Sequence, residues 1–344
     1  MSRDIFGTRI IAAPMAGGTS TPPFVTAVHE AGGLGFLAAG YKSVAAMLAD
    51  IRATRESGAR FGMNVFVPDP AQLPPSAAAV AELEAYRLQL RPDARRYGVE
   101  LPPLRLDDDD AWQAKIEALL ADPVELVSFT FGLPGADVVH ALQRAGSAVL
   151  ATVTTAAEAR QAAEQGVDAL VVQHGCAGGH SAAFLPASGD PGSGAPATTA
   201  ELIATVRSAV ALPLVAAGGI MDAAGVDRVL AAGAQAAQLG TALLRTQESG
   251  ARQLHKDALA SPHFTRTALT RAFTGRPARA LVNEFVRDHP DAPESYPAVH
   301  HLTAPLRAAA AAVGDAERLN LWAGTGWQQA RAASVAEVLA GLPG

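Results

Sequence analysis

Eight short apolar runs, each followed by a turn and a helical pattern, constrain this chain more than any other feature. They are IIAAP (10–14), LGFLA (34–38), FGMNVF (61–66), LVSFTF (126–131), AVLATV (148–153), ALVVQ (169–173), LPLVAA (212–217) and AAQLG (236–240). Each is continuous rather than alternating, as in strands buried on both faces. The stretches between them carry helix punctuation. PPFVTAVHEAG opens on proline and ends on glycine, SVAAMLADIRATRESG and AAEARQAAEQG end on glycine, and DAAGVDRVLAAG runs from an aspartate cap to glycine. Repeated β-α units build a parallel sheet. Eight of them predict an α/β fold closed as a (β/α)8 TIM barrel, with an open doubly wound sheet as the alternative.

The chain has 344 residues, 49% of them apolar and 17% charged, enough for a large core and an appendage. Two regions break the rhythm. Residues 69–122 hold a proline-rich turn and helical stretches and read as an insertion. Residues 246–303 have helical stretches and few strand signals, and read as a small, mainly helical second domain on the substrate side. The expected barrel domain is therefore 1–245 with 304–344. Four aspartates, Asp107 to Asp110, read as a solvated helix N-terminus, where the macrodipole favours negative charge, rather than as a metal cluster. No metal is expected. The net charge is −6 and no lysine or arginine run stands out, which argues against nucleic acid or an anionic membrane surface. The single cysteine, Cys176, reads as a small buried residue and can form no intrachain disulfide. The start MSRDIFGTRIIAAP has no signal-type apolar region, and no run is long enough to span a membrane. A cytoplasmic protein is the expectation.

In a barrel of this kind the chemistry lies where the strands end. AAGGI (216–220) and LGTA (239–242) close the last two expected strands. Their glycines, Gly218, Gly219 and Gly240, allow close backbone approach, and Thr241 adds a hydroxyl. Loops at these two positions commonly hold phosphate. The ligand is then a flavin mononucleotide or a phosphorylated substrate. Asn64, in the third run, and Gln173, at the end of the sixth, are amides that can match the heterocyclic edge of a flavin or merely cap a strand.

The sequence resembles the nitronate monooxygenases, formerly called 2-nitropropane dioxygenases. The resemblance rests on APMAGGTSTP (13–22), FGMNVFVP (61–68), VSFTFGLP (127–134), CAGGH (176–180), AAGGI (216–220), QLGTALLRT (238–246), FTGRPARAL (273–281) and LWAGTG (321–326). It implies an FMN-dependent, metal-free oxidation of alkyl nitronates by O2 to a carbonyl compound and nitrite. By position it places Met15, Ala16 and Gly17 near the flavin ring, and Asn64, Gln173, Gly178 and Gly179 along the cofactor. It places Gly218, Gly219, Gly240 and Thr241 at the phosphate, and brings Trp322, Ala323 and Gly324 back toward the pocket. His180, the last residue of CAGGH, is the implied catalytic base. The partners implied are a nitronate or nitroalkane and O2; a homodimer is left open.

Histidine suits the abstraction of a proton from a nitroalkane because its unperturbed pKa lies near neutrality. His180 would meet that need, or would hold a nitronate that is already an anion, while His174 has no assigned part. The chain departs from the family at Cys176, where an acidic residue is usual, and at Ala182, where glycine is frequent. Both bear on the substrate loop rather than the cofactor grip. An FMN reductase using NAD(P)H, of the enoyl-ACP or quinone reductase type, is the second reading. A non-catalytic flavin-binding barrel is the third.

Overall fold

A computed structural model describes residues 5–70, 73–185 and 196–343. The first four residues of the expected N-terminal reading, part of the proline-rich turn, and residues 186–195 and 344 of the expected barrel lie outside the described residues. The strands are β1 (Ile10–Ala12), β2 (Leu34–Ala38), β3 (Phe61–Phe66), β4 (Leu126–Thr130), β5 (Ala148–Val153), β6 (Ala169–Gln173), β7 (Gly179–His180), β8 (Leu214–Ala217), β9 (Ala236–Leu239), β10 (Thr267–Thr270) and β11 (Ala278–Leu281). Helices α1 (Pro22–Glu30), α2 (Val44–Glu56), α3 (Ala77–Gln89), α4 (Arg91–Tyr97), α5 (Trp112–Ala121), α6 (Ala136–Arg144) and α7 (Ala156–Glu164) precede β7. Helices α8 (Thr199–Ala209), α9 (Ala223–Ala231), α10 (Gln253–Ala260), α11 (Glu284–Asp288), α12 (Ala298–Ala312) and α13 (Val335–Leu339) follow it.

Strands β1 to β6, β8 and β9 close into a parallel barrel, and each grows from one of the eight apolar runs. Alternate residues of each run serve different cores. Ile11, Leu34, Phe36, Leu150 and Val215 fill the barrel interior with Phe6 from the preceding segment. Leu37, Met63, Val127 and Val149 point outward to the helices. This is why the runs are apolar throughout. The helix starts are chemically set: Thr21 accepts from the Phe24 N–H at 3.3 Å ahead of two prolines, and Asp222 accepts from the Gly225 N–H at 2.7 Å.

A second core lies over the strand ends. It joins Leu83, Tyr86 and Leu90 of α3 and its cap to Phe273, Phe285 and, from α12, Leu302. Tyr86 Oη donates to the Ala272 carbonyl at 2.7 Å. Helices α3 and α4, from the insertion, thus pack in this second core, while α5 lies beside α2 on the barrel. Helix α12 runs through the expected boundary at 303/304. The region also contributes β10 and β11, where the sequence shows few strand signals, to an antiparallel sheet ordered β10-β11-β7 whose third strand comes from the loop after β6. TALT and ARAL are only four residues long, and neither shows a continuous apolar run of the kind that marks the barrel strands; pairing supports the extended backbone.

Candidate active site

The carboxyl ends of the barrel strands and the underside of the second core enclose a cavity of about 440 Å³. Met15, Ala16 and Gly17 reach it from the loop after β1, and Asn64 and Gln173 from β3 and β6. Gly178, Gly179 and His180 enter on β7 and the turn before it. Gly218, Gly219, Gly240 and Thr241 enter after β8 and β9. Every residue singled out in the sequence as a candidate cofactor or base position therefore lines the same space.

Two of the glycines, Gly218 and Gly219, are there for steric reasons. Gly218 and Gly219 have φ of 109° and 71°, in the region that side chains disfavour. A Cβ on Gly218 would sit 2.8 Å from the His174 carbonyl oxygen. Among the described residues, the N–H groups of Gly218, Gly219 and Gly240 donate to no protein acceptor. Thr241 Oγ1 accepts from the Gly324 N–H at 3.0 Å and keeps its own proton to donate. Free backbone donors and a hydroxyl at the cavity edge make a cradle that fits a phosphate group, while the missing Cβ atoms of Gly218 and Gly219 let the 174–177 turn pack close behind it. The tail closes it from above. Thr325 N–H donates to the Cys176 carbonyl at 3.0 Å, and a Cβ on Gly178 would lie 2.5 Å from the Gly324 nitrogen.

The two amides are used differently. Asn64 Nδ2 donates to Ser128 Oγ and Thr130 Oγ1, both at 2.9 Å, and its Oδ1 has no protein donor among the described residues. That oxygen is a ready acceptor for a ring N–H in the cavity. Gln173 instead spans the loop after its own strand. Its Nε2 donates to the His180 carbonyl at 3.1 Å and its Oε1 accepts from Ala182 N–H at 2.8 Å. It positions the histidine segment.

His180 is enclosed by aromatic rings, with Phe131 at 5.5 Å, Trp322 at 5.3 Å and Tyr296 at 6.0 Å between centroids. Burial, then the positive charges of Arg276 and Arg307, push its pKa down to about 3. The sequence expectation of a ring poised near neutrality is corrected here: the imidazole is firmly neutral. Nε2 lies 2.9 Å from Thr274 Oγ1, and Nδ1 has no protein partner among the described residues. His174 has a separate use: its Nδ1 accepts from the Cys176 N–H at 3.3 Å and its Nε2 meets the Pro196 carbonyl at 3.1 Å, so it braces the turn.

Sequence reading missed several wall residues. Phe131 and Tyr41 adopt φ of 79° and 66°, a costly conformation for aromatic residues, and both line the cavity. His300 stacks on Tyr41 at 4.0 Å between centroids, and Arg307 lies behind it. The spacing of His300, Thr303 and Arg307 in HHLTAPLR puts all three on one helix face, a signal that was available. The aspartate run is more built-in than its solvated reading. Asp110 Oδ1 accepts from the Tyr41 N–H at 2.9 Å, Lys115 Nζ lies 2.7 Å from its Oδ2, and Asp108 meets His301 at 2.5 Å. The run therefore ties α5 to the cavity wall. The described residues place no group of three or more His, Cys, Asp or Glu side chains so as to hold a metal ion.

The fold is a closed (β/α)8 barrel with a cavity at the carboxyl ends of its strands, the place where enzymes of this architecture carry their sites. The profile of the family described as nitronate monooxygenase matches residues 2–343. The chain belongs to the nitronate monooxygenase family and is an oxidoreductase of that kind. It is 35% identical over 321 residues to a probable nitronate monooxygenase of Staphylococcus aureus (strain Newman), covering 92% of this chain and 87% of that one. The crystal structure of a nitroalkane oxidase from Streptomyces ansochromogenes superposes with a TM-score of 0.92 at 49% identity, over 98% of this chain and 95% of that one. FabK from Thermotoga maritima, at 23% identity and a TM-score of 0.73 over 98% and 93% of the two chains, shares the fold. No helix among the described residues is long and apolar enough to cross a membrane.

Proposed function

We propose that the protein is an FMN-dependent enzyme that oxidises alkyl nitronates and nitroalkanes with O2, giving a carbonyl compound and nitrite, with His180 as the base. The observation that carries this reading is the convergence on one cavity of a glycine cradle after β8 and β9 and a neutral imidazole on β7. The cradle fits the phosphate of FMN, and Met15 to Gly17 and Asn64 line the space a flavin ring would take. When bound, FMN supplies the acceptor for substrate electrons and their route to O2.

The protein residues do the rest. Thr274 holds Nε2 of His180, so an Nε2–H donated to its hydroxyl leaves the Nδ1 lone pair toward the substrate. A neutral nitroalkane gives up its α-proton to that nitrogen: the C–H bond breaks, an N–H bond forms, and the electron pair moves onto the nitro oxygens. A nitronate arrives with that step done. The ring enclosure of Phe131, Tyr296 and Trp322 excludes water from the proton transfer.

His180→Asn should lower turnover of a neutral nitroalkane about 10²- to 10⁴-fold, the span of general-base contributions. It should reduce turnover of the matching nitronate far less. Oxygen uptake and nitrite release, followed without NADH, read both; equal losses would sink the base assignment. Uptake that begins only after NADH is added would move the protein to the reductases.

A further inference from the structure

Helix α12 presents His300, Thr303 and Arg307 on one face, and His300 and Arg307 line the cavity. Arg307 has no carboxylate within ion-pair distance among the described residues, and no Asp or Glu lines the cavity. An enclosed guanidinium without a counter-ion is costly unless a ligand supplies the charge. Its donors are committed to Thr303 Oγ1 at 3.2 Å, Asn320 Oδ1 at 3.3 Å and the His300 carbonyl at 3.1 Å. Nη2 also lies 3.3 Å from His300 Nδ1.

That last contact fixes a tautomer. Guanidinium nitrogens donate and do not accept, so Nδ1 of His300 is the acceptor and Nε2 carries the proton. Burial and the Arg307 charge hold the His300 pKa down to about 2, so the ring stays in this form. The Nε2–H has no protein acceptor among the described residues, and the ring is locked flat against Tyr41. His180 lies near enough to contribute to the same local field.

We propose that His300 Nε2–H, backed by Arg307, is the oxyanion donor that binds the nitro oxygens where their negative charge resides or develops. This rests on the nitronate-oxidation reading and adds a specificity-determining pair to it. The two substrate forms should feel the pair at different points. A nitronate is anionic on arrival, so the pair acts on its binding. A nitroalkane gains the charge only as His180 removes the proton, so the pair acts on that step.

The test uses FMN-loaded wild type, His300→Phe, which keeps a ring against Tyr41, Arg307→Met and Arg307→Lys. Steady-state constants are measured for ethylnitronate and nitroethane, flavin content is recorded, and nitrate, an inert planar oxyanion, is titrated calorimetrically. Loss of a hydrogen bond to a charged group should raise KM for the nitronate by roughly 10- to 100-fold with kcat nearly kept, and lower kcat for nitroethane by a like factor with KM nearly kept. Nitrate binding should weaken in parallel, and Arg307→Lys should recover part of each effect. Parallel loss on both substrates in the same constant, unchanged nitrate affinity, or losses that track flavin release would overturn the assignment. Should Arg307→Met fail to fold, His300→Phe and the nitrate titration decide alone. A wild type that oxidises neither substrate would refute the functional reading itself; a wild type that oxidises both while the variants keep the same constants refutes only the pair.

Discussion

At the scale of single residues, His180 shows what enclosure does to an imidazole. Burial and two nearby guanidinium groups hold its pKa down to about 3, so the neutral, proton-accepting form persists far below neutrality. The kcat/KM profile for a nitroalkane should then lack a histidine inflexion near pH 6.5 between pH 5 and 8. An acid limb centred there, measured by oxygen uptake, would place the ring in a far wetter setting. Such a ring is a weak base in isolation; in the proposed reaction, the negative charge forming on the substrate beside it would raise its hold on the proton. The glycine turns and His180 were legible in sequence because they sit in contiguous motifs at strand ends. The helical spacing of His300 and Arg307 was also on view, but their place at the cavity was not, because the wall forms only when Tyr41, from a distant segment, stacks on His300.

At the scale of elements, eight strands were readable because burial on both faces leaves continuous apolar runs, whereas β10 and β11 owe their shape to pairing partners. The CAGGH turn and the LWAGTG segment form a clasp whose tolerance is small. A methyl at Gly178 would press on the Gly324 nitrogen at 2.5 Å and the Ala323 carbonyl carbon at 2.7 Å, both backbone atoms that cannot rotate aside. Gly178→Ala should cost about 1–3 kcal/mol and lower retained flavin, read by thermal unfolding and flavin content. A variant with wild-type melting and full flavin would show that the clasp yields. Helix α5 offers a second case. Lys115 is fully buried, donates to the Ala39 carbonyl at 2.9 Å and faces Asp110. Lys115→Met strands that carboxylate and should cost about 3–5 kcal/mol in urea unfolding, with Asp110→Asn added to it restoring part of the loss. No recovery in the double variant would mean the pair is not the source of the effect.

At the scale of the whole molecule, three enclosed histidines share one consequence. Burial holds His180, His255 and His300 at about 3, 4 and 2, all below the ordinary value of 6.5. Between each lowered pKa and 6.5 the unfolded chain binds the proton and the folded one does not. Stability is therefore full above pH 6.5 and falls as pH drops below it, by up to about 1.4 kcal/mol per unit for each ring. Asp93 and Asp108 have lowered pKa values as well, and their contribution is lost at still lower pH. The urea midpoint should drop clearly from pH 7.5 to 5.5, and an unchanged midpoint would contradict the enclosure of these rings. One seam in the molecule carries a different message. His180 lies on β7, and β7 pairs with β11 through Ala278 rather than with any barrel strand. The proposed base is thus stitched to the cap while the proposed phosphate cradle belongs to the barrel. Anyone recombining these halves between relatives would find that His180 travels with the barrel sequence while its pairing partner β11 travels with the cap, so crossover points drawn at the barrel's edge would split a paired unit in two.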